Sequence, residues 1–139
     1  MHVPETAGEH VGEFRLRLRA TPASLALFRD GLREWLQGLS LDPAAVFDVV
    51  LAASECLTLV IDESPRQVAL VVEVSAGMVG DRLIVVARDY GLWHESHAEE
   101  RAEPLGLSLM RALMDSVELE RHPDGQTITL ARHIRTVAH

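Results

Sequence analysis

Residues 43–62 read PAAVFDVVLAASECLTLVID. The stretch is long and apolar enough to be a membrane span or the core helix of a folded domain, and the choice decides the fold. Asp48 and Glu55 settle it, because each is costly at a bilayer centre. We read a soluble helix that starts at Asp42-Pro43 and runs to about Asp62. Each residue advances a helix by about 100°. Val46, Val49, Val50, Ala53, Cys56, Leu57, Val60 and Ile61 therefore share one broad core-facing stripe. Glu55 falls opposite, with Asp48 and Asp62 beside it. An isolated Glu there is ordinarily solvated. Leu51 and Leu59 lie on its side, a turn before and a turn after. They point instead to a pocket wall or a partner surface.

Working outward, residues 1–12 lack periodicity and read as a flexible tail. EFRLRLR, residues 13–19, alternates strictly and predicts a half-buried strand with Phe14, Leu16 and Leu18 on one face. A helix follows, with Thr21 as N-cap, Pro22 in its first turn and Gly38 at its end. Its apolar positions are Leu25, Phe28, Leu32, Trp35, Leu36 and Leu39. RQVALVVEVSAGMVGDRLIVVARD predicts two strands, about 66–75 and 82–88, joined by a glycine-containing turn. Residues 89–104 form a long polar loop, a feature often functional in compact domains. LGLSLMRALMD is a short helix, apolar on most sides, which should be buried on a sheet. VELER and QTITLARHI give two more strands, with HPDG as their turn. The order β-α-α-β-β-loop-α-β-β predicts an α/β (α+β) two-layer sandwich, a mixed, mostly antiparallel sheet covered by helices.

At 139 residues the chain has the length of one domain, which we place at 13–139. Net charge is −8 with His neutral, which argues against nucleic acid as the main partner. Cys56 is the single cysteine, so no internal disulfide forms, as suits a reducing cytoplasm. MHVPETAGEH has neither a basic nor an apolar signal region. All 13 basic residues are arginine. A P-loop, an ordinary protein-kinase strand lysine and Schiff-base chemistry all need Lys, so each is excluded for this chain acting alone.

Single residues have bland readings beside sharper ones. His94 and His97, among Glu95, Glu99 and Glu100, have ligand chemistry, but an acidic loop is the default and no metal site is assigned. Cys56 falls on the core stripe, as a packed thiol rather than a nucleophile. Asp89 at a strand end reads as a turn cap, and Gly106 as a helix-start glycine. Trp93 reads as a plug in a pocket or an anchor for a partner.

Taken together, the segments resemble the anti-sigma-factor serine kinases of the RsbW and SpoIIAB type. These belong to the ATP-binding group shared with histidine kinases and gyrase B, whose histidine-kinase-like (Bergerat) fold the resemblance implies. It covers about residues 13–135 and rests on order and several local matches. LAASECLTLVIDES lies where the family carries its box E-x-x-x-N-x-x-x-H, so Glu55 matches the proposed catalytic base. VVARDYG matches the strand leading to D-x-G, with Asp89 at the adenine-reading carboxylate and Gly91 at the glycine. PLGLSLMRALMDSVELER resembles the G-x-G-L-x-L box and its helix, with Gly106 at the second glycine. DGQTITLARHI resembles the final hairpin, with Thr127 at the threonine near adenine.

The departures fall on ATP. Leu59 stands where the family has its Mg²⁺-ligating Asn, and leucine offers no oxygen to a hard cation. Glu63 replaces the later His. Trp93 replaces a glycine, and Pro104 removes an N–H from the phosphate loop. The resemblance therefore implies a regulatory anti-sigma-factor-like protein with a degenerate ATP/Mg site. Its partners would be a sigma factor and an anti-anti-sigma protein, with homodimerisation through a sheet edge. The rival it implies is an active serine/threonine kinase of the anti-anti-sigma factor, with Glu55 as base.

Overall fold

In the computed structural model, residues 13–19, 21–63, 71–89, 105–123 and 125–134 are described. Residues 1–12 and the loop after Asp89, with Gly91, Trp93, His94 and His97, lie outside them. The described elements are β1 (Phe14–Arg19), α1 (Pro22–Gln37), α2 (Pro43–Glu63), β2 (Val71–Val79), β3 (Arg82–Asp89), α3 (Leu105–Leu113), β4 (Ser116–His122) and β5 (Gly125–His133). The strands form one five-stranded sheet in the order β1-β2-β3-β5-β4.

All four pairings are antiparallel, rather than mixed. β3 and β4 run the same way, as a helical crossover requires, but β5 lies between them and no parallel pair forms. The registers stack residues in rows across the sheet. One row is Phe14–Ala76–Val85–Leu130–Val117, and the next is Leu16–Val74–Ala87–Ile128–Leu119. Both rows are apolar and form the floor of the core under the helices.

Local chemistry explains the element ends. Thr21 Oγ1 accepts from Ser24 N–H at 3.2 Å, as an N-cap should. α1 closes by tightening: the Gly38 N–H reaches both Glu34 O and Trp35 O. Gly38 itself is not left-handed (φ −70). That conformation falls on Ser40 (φ 57). β2 extends past its expected end because Gly77 stays in the ladder, opposite Ile84. The hairpin instead turns at Gly80-Asp81, where Gly80 takes φ 65.

α2 is a core helix. By length and composition it is apolar enough to cross a bilayer, but 61% of residues 43–60 are buried inside the fold. Burial also spreads beyond the expected stripe, to Ala45, Ala52, Ser54 and Leu59. The cause is that α2 has neighbours on several sides: α1, α3 and the sheet. α3 was expected on the sheet; it packs chiefly along α2, burying Leu107 and Met110.

One polar bracket ties the layers. Arg132 on β5 donates to Asp48 Oδ2 at 2.8 Å and to the Leu113 carbonyl at 3.3 Å. It therefore joins the sheet, α2 and the end of α3. Both side chains of the pair are less than a third exposed. Arg132→Met is expected to lower stability by about 1–2 kcal/mol, measured as a lower urea midpoint at unchanged slope.

Candidate functional site

Glu55 leaves α2 toward the first turn of α3. A Cβ on Gly106 would lie 3.1 Å from Glu55 Oε1, so the missing side chain is what lets α3 start so close to the carboxylate. Leu113, at the other end of α3, shares Arg132 with Asp48. α3 thus runs antiparallel along the ridge of α2 that carries Asp48 and Glu55. The half-buried Glu55 also lines a cavity of about 260 Å³ with Arg29, Arg33, Phe47, Leu51 and Ser54. The arginines come from α1 and give the cavity a cationic side, which the sequence reading did not single out. Phe47 is 67% exposed.

Leu59 corrects an expectation. It was placed with Glu55 and Leu51 on one pocket wall. Leu51 does line the cavity, but Leu59 is 8% exposed and belongs to the core cluster. Side chains at 61–63 lie outside the described residues. Among the described residues no group of three or more His, Cys, Asp or Glu gathers as a metal site.

Asp89 is buried at the end of β3 (5% exposed). Its row across the sheet is Leu18–Val72–Asp89–Gln126–Arg121, in line with the two apolar rows and on the same face. Thr127, matched by the resemblance to the threonine near adenine, is not in this row. It instead belongs to the row Arg17–Glu73–Arg88–Thr127–Glu120, on the opposite face, where His122 Nε2 lies 3.3 Å from its Oγ1. The reason is the two-residue period of a strand: one position along flips the side chain. Gln126 takes the inward place. It is 2% exposed, and its Nε2 has no hydrogen-bond partner. The pattern Gln126, Ile128, Leu130 could have revealed this, since the last two must face the core. Gly125 (φ 148) lets β5 approach Asp89; a Cβ there would collide with the Asp89 carbonyl oxygen.

The candidates thus form two groups: Glu55 with Gly106 at the α2–α3 contact, and Asp89 with Gln126 on the end row of the sheet. Chemically, the first offers a carboxylate beside a helix start. The second offers an acceptor and an unused amide donor side by side.

Cys56 stands apart from both. It is buried, and desolvation pushes its thiol from an ordinary 9.0 up to about 12. At pH 8 the buried thiol should be alkylated much more slowly in the native protein than in urea. The folded pKa lies above the unfolded one, so the contribution to stability is complete below about pH 9. It is lost as pH rises from there toward 12. Urea titrations across that window check it.

The Histidine kinase-like ATPase domain model matches residues 18–132. Among solved structures, the RsbU and RsbW domains of Rv1364c from Mycobacterium tuberculosis match with a TM-score of 0.71 at 24% identity. The match covers 92% of this chain and 35% of that one, so the chain spans about a third of that protein's length. At this identity the likeness is one of fold. The family match runs from the end of β1 to the end of β5, through every described helix and strand and both candidate groups. On that match the chain belongs to the histidine kinase-like ATPase domain family.

Proposed function

We propose that the chain is a regulatory, anti-sigma-factor-like module of a partner-switching system, which acts by binding proteins and keeps only part of a nucleotide site. The observation that carries this reading is Leu59. It stands where the resembling family holds Mg²⁺, its side chain has no oxygen, and it is buried among core side chains. The adenine end is better supported. Asp89 and Gln126 are buried polar neighbours that share a row with Leu18 and Val72, and Gln126 has an unused donor. These residues suit the base of ATP; the position of Leu59 does not suit its metal.

The proposed partners are a sigma factor and an anti-anti-sigma protein. The fold likeness to a chain carrying an RsbW domain supports this, as does the arginine-lined cavity beside exposed Phe47. Phosphoryl transfer relies on Mg²⁺ for charge stabilisation, so a site without its metal end is poorly equipped for turnover. A cytoplasmic location goes with this reading.

One observation favours the kinase as a second reading. Glu55 still faces the start of α3, where the resemblance places a base and a phosphate loop together. Phosphate transfer from ATP to an anti-anti-sigma protein, abolished by Glu55→Ala, would establish it. Calorimetric titration with ATP, with and without Mg²⁺, tests the first reading.

A further inference from the structure

Arg29, on α1, and Glu55, on α2, line one cavity without meeting. Both are half-buried, and among the described residues neither has an ion-pair partner. Arg33 lines the same cavity, and its ion pair is with Asp30, an exposed neighbour on its own helix, at 3.3 Å. Charges partly withdrawn from water ordinarily close on an opposite charge, since their lost hydration is otherwise unreplaced. Here the two helices hold them apart across about 260 Å³. Phe47, Val50 and Leu51 supply apolar walls. The Ser54 hydroxyl already donates to the Val50 carbonyl, at 2.7 Å.

An anion alone answers the arginines but faces the Glu55 carboxylate. A cation alone meets the reverse difficulty. A molecule that carries both charges satisfies both sides. The volume is below the roughly 300–1,000 Å³ of sites for drug-sized ligands, so that molecule is small. We propose that the cavity binds a free α-amino acid with an apolar side chain. Arg29 and Arg33 take its carboxylate, Glu55 takes its ammonium, and Phe47 and Leu51 pack its side chain. A single side chain or chain terminus of a protein partner carries only one of the two charges. The proposal does not rest on the nucleotide reading.

The test is calorimetric titration of the full chain with L-leucine and with L-phenylalanine. Each is set beside two truncated forms, with hydrogen in place of the ammonium or in place of the carboxylate. Wild type should bind at least one of the amino acids, and about tenfold or more tightly than either of its truncated forms, the worth of one charge-assisted hydrogen bond. Arg29→Met should weaken binding of the amino acid about tenfold. Glu55→Gln should bind the amino acid and its deaminated form about equally. A truncated form that binds wild type as tightly as the amino acid overturns the proposal even if a variant fails to fold. If it is the deaminated form, the site takes an acidic group such as a protein partner would supply. An undiminished preference for the ammonium in Glu55→Gln also overturns the proposal. No binding of either amino acid by wild type overturns it and leaves the nucleotide reading untouched.

Discussion

Gly125→Val is expected to destabilise the fold by about 3 kcal/mol or more. At φ 148 the backbone of Gly125 is in a region that side chains rarely enter. A Cβ would also strike the carbonyl oxygen of Asp89, with Asp89 Oδ1 2.8 Å away. The obstacle is backbone at the end of the β3–β5 ladder, so it cannot swing aside as a side-chain tip would. Gly80→Ala is the control. Gly80 also has positive φ (65), but nothing lies within 4 Å of its Cβ position. It should cost only about 1 kcal/mol. Urea titrations of the two variants, side by side, separate the collision from the conformational strain.

Phe28→Ala is expected to cost about 3–5 kcal/mol and to lower the melting temperature by roughly 10–20 °C. Phe28, on α1, is fully buried. Its ring meets Phe14 edge-on at 6.2 Å, and Phe14 in turn lies 6.1 Å from Trp35. This aromatic group fastens β1, an edge strand with one neighbour, to the helix that follows it. The loss should therefore be felt first at β1. Native-state hydrogen exchange should show the β1–β2 amides losing protection before those of β3 and β5.

Much of this fold was legible from local pattern. FRLRLR alternates, and the strand buries Phe14, Leu16 and Leu18 in part while exposing every arginine. Thr21, Pro22 and Gly38 bounded α1 correctly because caps act within a turn. What pattern did not reveal depends on neighbours distant in sequence. A single-stripe wheel for α2 missed the burial of Leu59, because α2 has packing neighbours on several sides that its own spacing does not encode. Thr127 lies one residue from the position paired with Asp89, which in a strand is the difference between two faces. The inward place of Gln126 was readable from its own alternation with Ile128 and Leu130. The arginine side of the cavity needed the packing of α1 on α2, which no spacing within either helix encodes.

On the function proposed above, the chain keeps the family fold but not the metal end of a nucleotide site. Isothermal titration with ATP at fixed ionic strength, with Mg²⁺ and then with EDTA, tests it most directly. Leu59, buried and with no oxygen in its side chain, predicts no Mg²⁺-dependent gain in affinity. Tightening by about tenfold or more on adding Mg²⁺, equivalent to about 1.4 kcal/mol, would contradict it.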